Sequence, residues 1–403
     1  MNIAVAQSGG PTCVINASLL GVFREALADE RIQHIYGSLN GIEGILNDRL
    51  IDLSDALPDE HHCALLRQTP GAALGSCRKK MPKPSDDPRL YAQIAERFAL
   101  YDIGAFFYIG GNDSMDTTAK LSAYFASINS PVRVIGIPKT IDNDLMYTDH
   151  TPGFGSAARY LTVTMQEIVQ DCNAYNLPSV TIVEIMGRNA GWLTASCCLL
   201  RDTGETAPHL IYLPEGKLTL HGFLNDVRGR LKDHNTVVVA VSEGCQFADA
   251  DHADALSGAV DSFGHKYLSG IGKFLEEQVR AKIGCKVRSI ELNLMQRCSS
   301  HLASATDLDE AEAVGRAGVR AALNGDTGRK MTFHRVSDEP SRVEIRSVVA
   351  ALTANGERTF PTEWIAPAQN QITNAALPYF RPLVAGAPEI LHKNGMPLII
   401  HLR

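Results

Sequence analysis

Two short segments of this chain carry residue types that together can handle a phosphoryl group: Gly110-Gly111-Asn112-Asp113-Ser114 and Pro138-Lys139-Thr140-Ile141-Asp142-Asn143-Asp144. Glycines let the backbone turn sharply and let an anion approach its N–H groups, and a helix N-terminus that follows adds a favourable dipole. Asn112 and Asp113 can offer oxygen to a hydrated Mg²⁺. Asp113 is the odd member, because a carboxylate beside a phosphate repels it. It needs a cation partner or something to exclude. Lys139 can be that partner, as a compact point charge able to neutralise phosphoryl oxygens. Asp142 and Asp144 alternate, so in an extended segment they share a face. One can take a proton from an acceptor hydroxyl while the other holds charge or metal nearby. The plainer alternatives are an Asp/Asn-rich turn after a strand and a Ser114 that only caps a helix.

Other segments repeat the pattern of polar chemistry just beyond an apolar run. Ser8-Gly9-Gly10-Pro11-Thr12 is a second glycine turn, and a plain strand-to-helix turn would look the same. Arg78 follows the glycine-rich Gly71–Cys77 and can reach a transferring phosphoryl group. Met186-Gly187-Arg188 can clamp a sugar and a phosphoryl oxygen, and Glu243 can accept a sugar hydroxyl. Arg288 and Arg297 are two arginines of the kind that suits a phosphate monoester. Each of these also reads as an ordinary loop or interface residue.

The elements that must position these residues alternate apolar runs with helical stretches, which predicts an α/β chain with mostly parallel sheets. Strands are expected at Asn2–Gln7, Ile103–Ile109, Val132–Ile137, Val180–Ile185 and Thr236–Val241, with helices over Asn16–Leu27, from Ser114, and over Ala190–Leu199. The chemistry sits after each strand, where open α/β sheets bind ligands. Five such ends exceed one mononucleotide fold, so two Rossmann-like lobes facing a central cleft are expected. The expected division is 1–150 for the phosphoryl-donor lobe, 151–335 for the sugar-phosphate lobe, with a crossing back near 290–310, and 336–403 for an extension packed on both. Val343–Leu352 is ambiguous between strand and helix.

The 403 residues are 45% hydrophobic and 21% charged, with a formal charge of -7, so the total implies no basic surface for nucleic acid. No apolar run approaches the ~20 residues of a membrane span, and the N-terminus lacks the pattern of a signal peptide. Nine cysteines without a C-x-x-C pair point to reduced, mostly buried thiols and a cytoplasmic protein.

These segments, in this order, resemble the 6-phosphofructokinase family from Asn2 to about Arg335. The resemblance implies two Rossmann-like lobes, a homodimer or homotetramer, and Mg²⁺-assisted phosphoryl transfer to the 1-hydroxyl of fructose 6-phosphate. It implies Asp142 as the base, with Asp144 beside it, and Arg78 and Arg188 as the cations on the transferring phosphoryl. Gly10, Gly111 and Ser114 would line the donor site and Asn112 would face the metal. Thr140, Met186, Gly187 and Glu243 would contact the sugar, and Arg288 and Arg297 its 6-phosphate.

ATP-using members resemble G-G-D-G-S and P-G-T-I-D-N-D, whereas Asp113 and Lys139 stand at two of those positions here. This pair resembles the pyrophosphate-dependent branch. Asp113 adds bulk and negative charge where the α-phosphate of ATP would lie, and Lys139 adds a cation at the pyrophosphate. The two can also pair with each other. An ATP-dependent enzyme is the alternative, and a non-catalytic regulatory subunit a remote one. The chain departs from the common pattern at Asn112, where many members carry Asp, and at Pro11-Thr12-Cys13-Val14. It departs again at Leu294, where His or Tyr is usual. At Ser179, ATP-dependent bacterial members supply an arginine from a neighbouring subunit.

Overall fold

The computed structural model describes residues 1–250, 270–353 and 356–402. Strands β1 (Asn2–Gln7), β2 (Ile35–Ser38), β3 (Leu50–Asp52), β4 (Ile103–Gly110) and β5 (Arg133–Pro138) come first. They are followed by β6 (Ser179–Ile185), β7 (Leu210–Tyr212), β8 (Thr236–Ser242) and β9 (Lys286–Glu291), and then by β10 (Arg329–Asp338) and β11 (Ser341–Val349). Two sheets result. One has seven strands in the order β11-β10-β5-β4-β1-β2-β3, and the other has four in the order β7-β8-β6-β9. The second sheet is parallel throughout. In the first, only the outer pairs β2–β3 and β10–β11 are antiparallel.

The unbroken apolar character of the central strands follows from burial on both faces. Ile3 and Val5 of β1 pack with Phe107 and Ile109 of β4 in one cluster. Ala4, Ala6, Phe106 and Tyr108, one residue out of phase, pack on the other face. The helix Ile15–Leu27 covers the first of these faces and lies against the helix Ala305–Leu323. Their contact is close enough that a Cβ on Gly21 would fall 2.0 Å from the Glu312 carbonyl, and one on Gly315 2.2 Å from that of Ser18. Glycine is what lets the two backbones meet. Through this helix the chain returns from the second sheet to the first. β10 and β11, which span the expected boundary at 335, form one hairpin of the first sheet.

The structure corrects two sequence expectations and resolves an ambiguity. The helix expected from Ser114 runs Asn112–Ser127, with Gly111 at its N-cap position and no capping side chain, so Ser114 lies inside its first turn. The helix expected over Ala190–Leu199 is a short α-helix, Trp192–Ser196, continued by 3₁₀ turns over Cys197–Thr203. The ambiguous Val343–Leu352 is strand as far as Val349 and then turns. All nine cysteines are free, seven of them buried. No helix among the described residues is long and apolar enough to cross a membrane.

Candidate active site

The carboxyl ends of β1, β4, β5, β6 and β8 open on one cleft of about 460 Å³. Of the residues singled out above, Gly10, Arg78, Gly111, Asn112, Asp113, Ser114, Lys139, Thr140, Asp142 and Asp144 line it. From across the cleft so do Met186, Arg188, Glu243 and Arg297. Gly187 does not line it but frames it, through an N–H that donates to Glu243 Oε1 at 3.3 Å. Arg288 is not brought there. It is exposed on β9, an edge strand, with its nearest carboxylate, Asp171, at 3.9 Å.

The glycine turn after β1 is where the cations converge. Gly9 has φ +75°, a conformation costly for other residues, and the Lys139 ammonium lies 3.4 Å from where its Cβ would be. A Cβ on Gly10 would lie 3.1 Å from Arg297 Nη1. Lys139 Nζ donates to the Gly10 carbonyl at 2.6 Å. The Gly9 N–H donates to Cys77 O, and Ser76 Oγ donates to Gly9 O at 2.6 Å, which ties the Arg78 loop to the same turn. The pairing of Lys139 with Asp113 allowed by the sequence is not formed. No ion pair joins them among the described residues, because the lysine reaches back to the β1 turn instead. Burial presses the Lys139 ammonium down to about 8. Arg297 and Arg78 push the same way, and Asp142 and Asp144 oppose them.

Thr140 Oγ1 donates to Asp142 Oδ2 at 3.0 Å and accepts the Asp142 N–H at 3.1 Å, fixing the carboxylate on its loop. Asn143 takes a left-handed φ of +57°, so the segment is not the extended stretch expected, yet both aspartates still face the cleft. Both carboxyls are raised above the ordinary range, chiefly by burial. Lys139 and Arg188 draw Asp142 back down, while Asp142 and Glu357 push Asp144 further up. Glu243 is likewise raised by burial, to about 7. Asn112 Nδ2 donates to Asp144 Oδ2 at 3.3 Å, and Asn112 Oδ1 is buried without a partner among the described residues. Arg188 Nε is also buried with no partner among the described residues. The backbone that carries Arg188 is set by β8. Ser242 Oγ donates to Gly187 O at 2.6 Å, and a Cβ on Gly244 would fall 1.8 Å from Arg188 O. Gln296 accepts the Met186 N–H at 3.0 Å, next to Arg297.

Three polar lining residues escaped the sequence argument: Lys80, Asn189 and Glu357. Lys80 and Asn189 stand one or two residues from Arg78 and Arg188 and were findable by adjacency. Glu357 lies in a stretch with no motif. A half-buried, carboxylate-bearing floor flanked by five cations is suited to a proton transfer beside a polyanion.

Comparison with known proteins agrees with this chemistry. A profile described as "Phosphofructokinase" matches residues 2–321. A protein of Xanthomonas campestris named pyrophosphate–fructose 6-phosphate 1-phosphotransferase is 41% identical, over 100% of this chain and 96% of its own. One of the same name from Methylococcus capsulatus is 38% identical, over 98% and 94%. The crystal structure of a pyrophosphate-dependent phosphofructokinase from Marinobacter aquaeolei superposes with a TM-score of 0.88 at 35% identity, covering 99% of this chain and 95% of that one. With its two mostly parallel sheets meeting at this cleft, the chain belongs to the phosphofructokinase family.

Proposed function

We propose that this chain transfers a phosphoryl group from pyrophosphate to the 1-hydroxyl of fructose 6-phosphate, reversibly, giving fructose 1,6-bisphosphate and phosphate. The observation that carries the choice of donor is the placement of Lys139 and Asp113. Lys139, 3% exposed, lies against the Gly9–Gly10 turn, where it adds a cation for a compact polyanion. Asp113, in the first turn of the helix Asn112–Ser127, puts a carboxylate on the cleft wall where a longer nucleotide would have to pass. The names of the full-length relatives support the same donor and acceptor.

In this mechanism Asp142 takes the proton of the sugar 1-hydroxyl as that oxygen attacks phosphorus. The bridging P–O bond breaks and phosphate leaves. Arg78 and Arg188 neutralise the transferring group, with Lys139 on the donor. Gly10, Gly111 and Ser114 leave room for the donor. Thr140, Met186 and Glu243 hold the sugar, with Gly187 bracing Glu243, and Arg297 holds its 6-phosphate. Mg²⁺ is the metal expected with pyrophosphate. The orphaned Asn112 Oδ1 fits a part in holding it, and Asp144 stands beside that oxygen. No group of three His, Cys, Asp or Glu among the described residues is placed to hold a metal, so the pyrophosphate oxygens would supply most of its ligands. The ion would neutralise charge on the donor.

Arg288 faces outward, so it reaches a sugar phosphate only if a second copy presents one. A homodimer or homotetramer is proposed on that ground. A cytoplasmic location is proposed from the free thiols. The test is initial rates on fructose 6-phosphate with Mg²⁺, comparing pyrophosphate with ATP. Turnover with pyrophosphate and not ATP is expected. Turnover with ATP alone would overturn the role given to Asp113 and Lys139.

A further inference from the structure

The loop that carries Asp142 leaves β5 and returns toward β10 with several carbonyls turned inward. A buried carbonyl without a donor is costly, so these need partners. One side chain supplies most of them, and it comes from far along the chain. Arg358 Nη1 donates to Thr148 O at 3.1 Å and also to Asp149 O. Its Nη2 and Nε donate to Asn143 O at 3.2 and 3.3 Å. Its backbone N–H donates to Asp144 O at 2.7 Å. The phenol of Tyr379 completes the set. It donates to Asp149 O at 2.7 Å and accepts from Asn143 Nδ2 at 2.8 Å and from Arg358 Nη2 at 3.1 Å.

The same segment grips the opposite wall. The guanidinium lies 4.2 Å from the ring centre of Trp192, and Trp192 Nε1 donates to Arg358 O at 3.0 Å. Glu357 precedes Arg358 and pairs in a β-bridge with Leu145, so the two side chains point opposite ways. Glu357 turns into the cleft, where both its oxygens accept from Asn189 Nδ2 at 2.9 Å, next to Arg188. Two successive residues thus touch both the loop of the proposed base and the loop of a proposed phosphoryl cation. They lie beyond the end of the family match at residue 321.

We infer that Glu357-Arg358 is a positioning strap, with Arg358 fixing the Asp142 loop and Glu357 registering it against the Arg188 loop. The role assigned to these loops rests on the proposed phosphoryl transfer. The donors of a planar guanidinium are spread over three nitrogens, so it reaches three carbonyls and the Tyr379 phenol while lying on Trp192, a span that a compact three-donor ammonium matches poorly. Neither residue is given a part in the chemistry itself.

The test compares R358M, R358K and E357Q with wild type in the full-length protein, by initial rates over both substrates and by amide hydrogen exchange. R358M should lose kcat on the order of 100-fold, the usual cost of a reacting group displaced by an ångström, with both KM values within about threefold. R358K should recover roughly tenfold of that loss, and E357Q should lose kcat about fivefold. A folded R358M with wild-type kcat, or a loss confined to KM, would overturn the strap. If R358M does not fold, R358K carries the test, and wild-type kcat there overturns it. Exchange over residues 143–149 should quicken in R358M or R358K while β1 and β4 stay protected. Unchanged exchange there overturns the strap whichever donor the enzyme uses. That second measurement needs no turnover, so a wild-type protein inert toward pyrophosphate would sink the functional reading and leave this one still decided.

Discussion

The segment after β5 and the strand β9 with the segment after it both carry charged residues given a part in the proposed reaction, and they are built in opposite ways. β5 is an interior strand, flanked by β4 and β10. Its loop is tied down by Thr140, Arg358 and Tyr379, and its aspartates are half-buried. β9 is an edge. Beyond it Leu294 and Met295 are 57% and 53% exposed, and Arg288 looks outward. Arg297 regains the cleft only because the short helix Met295–Cys298 turns it back toward Gly10. A residue at the end of an interior strand has its place set by its own chain. One on an edge strand is aimed at whatever lies beyond the chain.

The interior loop should give the largest effects, and they should not depend on assembly. Asp142→Asn keeps the shape and removes the proposed base, so kcat should fall roughly 1,000-fold with KM little changed. A loss of less than tenfold would place the base elsewhere. Replacing Asp113 and Lys139 together by Gly should lower kcat/KM for pyrophosphate on the order of 100-fold and raise turnover with ATP. If pyrophosphate kinetics are unchanged, the two residues do not select the donor.

The edge should behave differently. Arg288→Ala should raise KM for fructose 6-phosphate about tenfold and leave kcat nearly alone, as expected for losing one charge-assisted contact. If Arg288 serves a neighbouring copy, mixing Arg288→Ala subunits with Asp142→Asn subunits should restore sites that combine low KM with near wild-type kcat, which neither variant has alone. Such sites would combine an intact Asp142 with a neighbour's Arg288. Absence of recovery after verified subunit exchange would return Arg288 to the surface and break the contrast.

What was legible in the sequence follows the same division. The glycine turns, Lys139 and the aspartates could be placed because each stands just after an apolar strand, and parallel strands deliver such residues to one end of a sheet. The helix was expected to start at Ser114, two residues late, because a glycine N-cap leaves no side-chain signal. Arg288 was read with Arg297 because spacing says nothing of which strand is an edge. Glu357 and Arg358 were invisible. They are ordinary charges in a motif-free stretch, and only the return of the chain through Ala305–Leu323, β10 and β11 brings them beneath a loop more than 200 positions earlier. Lys330, 0% exposed on β10 with its ammonium on Met146 O at 2.6 Å, was hidden for the same reason.

The smallest expected effect on turnover lies at the back of the interior loop. The His150 ring sits between Asp149 at 2.7 Å and Glu310 at 2.8 Å, stacked on Phe333. Burial alone would lower its pKa, but Glu310 and Asp149 outweigh burial and hold it near 9, against an ordinary 6.5. Asp149 is held down to about 2 by His150 and Arg335 despite its own burial. A histidine raised on folding contributes stability that is fully present below pH 6.5 and is lost as pH rises through about 9. Wild-type protein should therefore melt at a lower temperature at pH 9.5 than at pH 6.5. His150→Gln keeps a donor toward Glu310 but does not titrate, so it should lose less over that range, with turnover at pH 7 near wild type. Calorimetry across the window decides the point. Parallel curves for the two proteins would mean that the loop is held from behind by Arg335, Arg358 and Tyr379 without help from the charge on His150, and that the interior segment draws its order from fixed cations alone.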